Sequence, residues 1–415
     1  MNTTESELQP GFRRSCMTTI KGPRTRSVVT FNPTTISPGE ELYINIPKLK
    51  PSSCLVPGSL AFLFDFKNSN TKSRFSNNLA KLLAKRLQVK VAGKTAYDCS
   101  GESLFEVYKD LWLTLGRKKM TEQGLASENL RKLISGDDTG VKVGDAGKVA
   151  DALLHTIYGS KLRKRIDKII ADHGLYVPFF MNNNPMYILT LPQADEIMTA
   201  QGGKQVDGYK LANLELEYET IENDTLTSEV SRMYSTGRSL SYKHVTLMRT
   251  SNWDKDLTIV NANINIPRKS MSAIVLLFTN RVRTDSEEYI YPNIDNVNVT
   301  IEGVPNAVFS QGLPKNRFFE EAKRFFCPMC EKTMADEFMS ISKFFSNGFA
   351  LVIDLRSTQD DTTGGGKKIV NTQSGVYVLL EIKKRATTSD VQCNIFVVSD
   401  ALLNFANRDL SSIQY

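Results

Sequence analysis

Apolar residues recur at every second position in run after run of this chain, and no other feature constrains its fold as much. Within residues 291–326, Val297, Val299 and Ile301 alternate with Asn298 and Thr300, the period of a half-buried strand. Glu302-Gly303-Val304-Pro305-Asn306 then supplies turn chemistry, and Ala307-Val308-Phe309-Ser310 resumes an extended run, so a hairpin is expected. After Gly312 and Pro314 the period lengthens. Phe318, Phe319, Ala322, Phe325 and Phe326 fall at helical spacing among charged residues, which predicts an amphipathic helix.

The second half repeats the theme. Strands are expected at 240–248, 257–266 and 273–278, in the two arms of the hairpin, and at 349–355, 376–382 and 391–398, making eight. A further helix is expected around 336–345. The first half gives strands at 27–31, 41–46 and 60–66, a hairpin over 87–97 turning at Ala92-Gly93-Lys94, and strands at 186–191 and 211–219. Pro33, Pro38-Gly39, Pro47, Pro51 and Pro57-Gly58 punctuate the early runs. Residues 60–66 are apolar at most positions, as in a strand covered on both faces. Between about 100 and 170 the pattern turns helical: Leu104, Phe105, Tyr108, Leu111, Trp112 and Leu115 mark one face, and Val149, Leu153, Leu154 and Ile157 another.

Eight short strands with turns and a few long excursions describe a jelly roll. The expected fold class is mainly β, with two consecutive eight-stranded jelly rolls carrying helical insertions. Residues 1–26 form a basic N-terminal arm, 27–222 the first roll, 223–238 a polar linker with two helical turns, and 239–415 the second roll. No internal repeat is legible, so the duplication rests on the strand count. The 415-residue length fits two domains of roughly 200 residues. No apolar run approaches the ~20 residues of a membrane span, and the N-terminus has no signal-peptide core. A cytosolic or nuclear site of synthesis is expected.

The chemistry-bearing motifs are sparse. Cys327-Pro328-Met329-Cys330 has the spacing of half a zinc site or a redox pair, but no second such pair exists. His155, His173 and His244 are all distant from it in sequence. Cys327 and Cys330 are thus a partial metal candidate at most, and the plainer reading is incidental cysteines. Six cysteines in so long a chain do not make a disulfide framework. Gly364-Gly365-Gly366-Lys367-Lys368 suggests a phosphate loop, yet Lys368 stands where Ser or Thr should hold magnesium, so a loop tip is expected. Trp112 belongs to a helix face, whereas Trp253 could be a loop contact. Glu287-Glu288 and Asp360-Asp361 sit in polar stretches. No nucleophile motif is present, and the reading is of a non-enzyme without cofactor.

The net charge of +7 permits contact with nucleic acid without demanding it. Arg13, Arg14, Lys21, Arg24 and Arg26 make the arm basic. Lys161-Leu162-Arg163-Lys164-Arg165, with Lys168, is the densest basic cluster and reads as a nucleic-acid contact, a nuclear localisation signal or a solvated helix face. Two rivals to a structural role remain open: a β-sandwich carbohydrate or receptor-binding module, and a single-strand nucleic-acid binder. Phe62 to Phe66 carries aromatics without basic residues, which disfavours the latter.

Several segments together resemble the double jelly-roll major capsid proteins of the Polinton and adintovirus type, in the virophage and adenovirus-hexon-like lineage. They are Asn77-Asn78-Leu79, the hairpin over 89–98, Tyr108-Lys109-Asp110-Leu111-Trp112-Leu113, His173-Gly174-Leu175-Tyr176-Val177-Pro178, Leu214 to Glu219, 291–312, 349–356 and 393–402. The resemblance implies a homotrimer forming a pseudo-hexameric capsomer that tiles an icosahedral shell around double-stranded DNA. It implies contacts with neighbouring capsomers and with penton and minor capsid proteins. The N-terminal arm would then lie at the inner face near the genome, and the protein would reside in the virion, assembled in the cytoplasm or nucleus of a host. Cys327 and Cys330 match no family pattern and inherit no role.

Overall fold

A computed structural model of the chain describes residues 22–31, 35–50, 52–56, 58–68, 73–75, 79–112, 162–166, 169, 177–178, 185–200, 208–281, 286–306, 309, 311–327, 339–357, 365–370, 376–407 and 409–415. The chain divides into two compact units. Unit 1 comprises 1–98, 119–242 and 402–413; unit 2 comprises 99–118, 243–401 and 414–415.

In unit 1 two sheets carry the alternating pattern. One is ordered β3 (Glu41–Asn45), β11 (Met186–Thr190), β7 (Arg86–Val91), β8 (Lys94–Cys99). Its inward rows are built from the alternation: Leu189 faces Leu42 and Leu87, and Tyr187 faces Ile44 and Val89, all within a few per cent of full burial. Each such side chain contributes roughly 1.5–3 kcal/mol of transfer free energy. The other sheet centres on β13 (Tyr209–Glu222). Glu215 and Glu217 each pair both with β1 (Arg24–Thr30) and with β5 (Ala61–Asn68), which places those strands on opposite sides of β13. The short β2 (Thr35–Ile36) continues the β1 side, and β4 (Ser53–Leu55) the β5 side. Beyond them lie β9 (Leu162–Arg165) and β10 (Val177–Pro178). With broken strands counted once, the eight positions follow the orders 1-8-3-6 and 2-7-4-5. β6 (Ser73–Phe75) and β12 (Met198–Ala200) pair separately.

Unit 2 has the same two orders. One sheet runs β14 (Arg238–Trp253), β23 (Val391–Ala406), β16 (Arg268–Thr279), β20 (Ala350–Asp354); the other runs β15 (Ile259–Ile264), β22 (Val378–Lys384), β17 (Ile294–Ile301), β18 (Val304–Pro305). The latter's inner rows are Val299–Leu380–Ala262 and Ile301–Val378–Ile264. Residues 273–278 of β16 are buried on both faces, which explains their unbroken apolar run. Among the described residues, α-helices of this unit are α1 (Glu102–Asp110), α3 (Phe318–Phe326) and α4 (Ile341–Asn347). β19 (Leu313–Pro314) pairs β17, β21 (Lys367–Ile369) pairs β16, and β24 (Asp409–Gln414) pairs β23.

The duplication invisible in the sequence is therefore explicit in the strand order: two jelly rolls in succession. A local detail repeats with it. The fourth-to-fifth hairpin of each roll turns on two residues with positive φ, Ala92 (50°) and Gly93 (74°) in one and Glu302 (50°) and Gly303 (80°) in the other. These are the signs of a type I′ turn, whose twist suits a two-residue hairpin. A Cβ at Gly93 would meet nothing within 4 Å, so its substitution costs only backbone strain. Gly93→Ala is expected to lower the unfolding free energy by about 1–2 kcal/mol in urea titrations.

The structure revises several expectations. The partner arm of the β17 hairpin is Val304–Pro305, directly after the turn; of 307–310, only Phe309 is described, and it lies in a turn. The basic cluster is not helical. Leu162–Arg165 pairs antiparallel with Ala61 to Phe64, and the sheet supplies the hydrogen bonds that a four-residue basic segment cannot secure alone. The polar connector 223–238 holds a full helix, α2 (Asp224–Ser235), capped by the Asn223 side chain accepting from Leu226 N at 2.8 Å. Leu226, Val230 and Tyr234 bury one face of it. The helix expected at 336–345 is α4, Ile341–Asn347, with Ser340 as its cap. Most of the 100–170 insertion lies outside the described residues.

Candidate functional site

Of the basic arm, Arg24 and Arg26 fall in β1, while Arg13, Arg14 and Lys21 lie outside the described residues. Arg26 donates to the Glu217 carboxylate, which is only 6% exposed, so this arginine serves as counter-ion to a nearly buried acid of the sheet. Its own side chain remains largely exposed, as does Arg24.

Cys327 caps the end of α3 and is half-buried; Cys330 lies outside the described residues. Cys54, Cys99 and Cys393 are buried thiols. Burial pushes Cys54 up to about 11 despite its contact with Thr227, and pushes Cys393 well above the ordinary thiol value. Such thiols stay protonated and unreactive. Among the described residues, no three His, Cys, Asp or Glu side chains gather as a metal-ligand set.

The glycine loop leads into strand β21, not into a helix, which removes the phosphate-loop reading. A Cβ on Gly366 would sit 2.5 Å from Ser270 Oγ and 2.9 Å from the Met271 backbone, so close strand approach explains that glycine. His244 is buried, its Nδ1 3.0 Å from Thr246 Oγ1 and its ring against Tyr415. Trp253, expected as a possible loop contact, is buried against Phe278 at 5.0 Å, and Trp112 stacks on Phe326. Neither tryptophan offers a sugar platform.

Two ionic clusters sit inside unit 2. Asp354 and Arg356, at 1% and 4% exposure, share a fork of bonds: Nη2 to Oδ2 at 2.9 Å and Nε to Oδ1 at 3.0 Å. Arg356 also donates to Arg324 O at 3.1 Å and stacks over Phe325, which ties β20 to α3. Arg324 Nε, at 3.6 Å from Asp354, adds charge attraction without a hydrogen bond. Sequence reading missed this pair, although two charges at the end of an all-apolar run were a signal.

The second cluster is Lys243 Nζ to Asp400 Oδ1 at 2.6 Å, with Ser270 Oγ donating to Oδ2 at 2.5 Å. Burial pushes the Asp400 carboxyl up, but the hydrogen bonds from Lys243 and Ser270 and the Lys243 charge together outweigh it and hold it below 3.8. A depressed carboxylate stabilises the fold above its unfolded value and loses that contribution as the pH falls through the folded one. Lys243→Gln is expected to cost about 1 kcal/mol at pH 7, and the difference should shrink as the pH falls below the ordinary carboxylate range and Asp400 takes up its proton. Urea midpoints at pH 7 and pH 3 measure it.

None of these clusters is an open reaction centre. Among the described residues, the large exposed apolar side chains lie mostly at sheet edges, with Ile341 (59%) on α4 apart from them. Val28 (51%) and Val29 (38%) lie on β1, Tyr43 (53%) on β3, Ile259 (56%) on β15 and Val304 (65%) on β18, each an outermost strand of its sheet. Leu257 (41%) lies two residues before β15. A monomer ordinarily blunts such edges, because unpaired strands with apolar side chains invite association.

No family model matches the chain, and no curated protein matches it. Solved structures do. A chain of the PBCV-1 virus capsid matches with a TM-score of 0.58 at 8% identity, over 94% of this chain and 97% of that one. A chain of the Sputnik virophage matches with a TM-score of 0.53 at 9% identity, over 96% and 89%. The Faustovirus major capsid protein matches with a TM-score of 0.50 at 8% identity, over 94% and 92%. The fold is that of the double jelly-roll capsid proteins, spanning nearly the full length of each.

Proposed function

We propose that the chain is a major capsid protein, a structural subunit that trimerises into pseudo-hexameric capsomers and tiles an icosahedral shell around double-stranded DNA. The observation that carries this reading is the paired strand order, 1-8-3-6 and 2-7-4-5 twice over in one chain, matched end to end by capsid structures. Two similar rolls per chain give six per trimer, which is how a three-fold object fills a six-fold lattice position. The apolar edge residues support subunit contact, and obligate interfaces of this kind bury about 2,000 Å² or more.

The finer reading places the protein in the Polinton and adintovirus branch, in the virion, with penton and minor capsid proteins as partners. The proposed domains are an arm over 1–26, whose last residues from Arg24 already pair in β1, a first roll over 27–222, a connector over 223–238 and a second roll over 239–415. Arg13, Arg14, Lys21, Arg24 and Arg26 face the genome from the inner side. This account needs neither catalysis nor a cofactor.

Negative-stain imaging of the concentrated protein across salt and pH tests the assembly. Hexagonal sheets or closed shells are the expected result. Particles that remain single chains under every condition would overturn the proposal. For the arm, Arg13→Gln and Arg14→Gln together should weaken double-stranded DNA binding and reduce its salt dependence by about two counter-ions.

A further inference from the structure

Helix α1 follows directly on β8, the fifth strand of the first roll, and sequence position alone assigns it to that roll. Its packing does not. Among the described residues, every ring contact of the helix and of the residues just after it is made within unit 2. Phe105 meets Phe396 of β23 at 5.3 Å, Tyr108 meets Tyr289 at 4.8 Å and Phe326 at 5.1 Å, and Trp112 stacks on Phe326 at 5.9 Å, 12° from parallel. Two hydrogen bonds fix the seat in both directions. Tyr108 Oη donates to Gly348 O at 3.1 Å, and Tyr289 Oη donates to Leu104 O at 2.9 Å. At the helix start, a Cβ on Gly101 would lie 2.9 Å from the Phe396 ring and 3.1 Å from Leu247, so the entry is packed to contact. Phe105, Val107, Tyr108, Leu111 and Trp112 are all buried.

We propose that α1 is a staple that unit 2 requires: the second jelly roll reaches its stable form only when this helix, drawn from the excursion between the fifth and sixth strands of the first roll, is seated over it. The physical reason is exposure. Without α1 the rings of Phe326, Phe396 and Tyr289 lose their cover, and the Gly348 carbonyl loses its donor. The second roll therefore depends on a segment that the sequence places between two strands of the first. This inference does not depend on the capsid reading.

Hydrogen exchange on the full-length chain tests it, because it reports each strand separately. Trp112→Ala should speed exchange of amides in β16, β20 and β23 by about a hundredfold, while β3, β7 and β11 keep their protection. Should that variant fail to fold, Tyr289→Phe decides, since it removes the hydroxyl that donates to Leu104 O and keeps the ring. It should speed exchange in α1 and β20 by about fivefold and leave β7 and β11 unchanged. Unchanged exchange in unit 2, or an increase that takes in β7 and β11 equally, would overturn the proposal.

Discussion

Phe349→Ala is expected to lower the unfolding free energy by about 3–5 kcal/mol, the range for emptying a fully enclosed aromatic site. Phe349 is fully buried, and its ring meets those of Tyr291 at 4.8 Å, Phe344 at 5.1 Å, Phe318 at 5.8 Å and Phe278 at 5.9 Å. These neighbours belong to β16, α3, α4 and the segment before β17, so no single element can move to fill the gap. The loss combines removed apolar burial with dispersion contacts that the surrounding rings cannot recover. Phe345→Ala provides the comparison, because that ring is only half-buried and its site opens to water. Urea titration followed by fluorescence measures both, and the Phe349 variant should show the larger shift in midpoint.

Asp354→Ala is expected to cost a similar 3–5 kcal/mol for an electrostatic reason. Removing the carboxylate takes from Arg356, at 4% exposure, its forked ion pair, and from Arg324 the carboxylate 3.6 Å away. The desolvation of the Arg356 guanidinium then loses the attraction and hydrogen bonds that Asp354 supplied. Replacing both members of the pair, Asp354→Leu with Arg356→Met, should cost far less than Asp354→Ala alone. Apolar groups of similar volume need no partner. Should the double variant be as unstable as the single one, the pair's importance would lie in its bond to Arg324 O and its stacking on Phe325.

Much of the fold could be read from the residues, and the failures have definite causes. β17 is legible because Val297, Val299 and Ile301 alternate over enough length to declare one buried face. Its partner β18 is not, because a two-residue turn leaves an arm of only Val304 and Pro305, one of which lacks an amide donor. β9 is hidden for a different reason. Leu162, Arg163, Lys164 and Arg165 contain no alternation, and their extended form comes from pairing with β5, a tertiary fact. The α1 face was evident from Phe105, Tyr108 and Trp112, but an amphipathic pattern states only that a face is covered, not which core covers it. Trp253 closes a sixteen-residue strand, so its burial depends on Phe278 of β16, distant in sequence. Of the candidate site, the basic arm was legible as composition. The engagement of Arg26 by Glu217 depends on a strand pairing 191 residues apart, which no local window contains.

The two rolls share a strand order and a turn geometry yet no visible sequence repeat. That outcome is physically reasonable: many sequences satisfy the same alternation, and the jelly roll constrains the period and turn positions more tightly than residue identity. Among the described residues, several exposed apolar side chains lie on edge strands, which is compatible with the proposed assembly.

The most direct test of the central claim is the mass of the purified full-length chain in solution by light scattering. A stable species of three 46.5 kDa chains, persisting on dilution, is the predicted result. A monodisperse single chain at every concentration, salt and pH would contradict the capsid account.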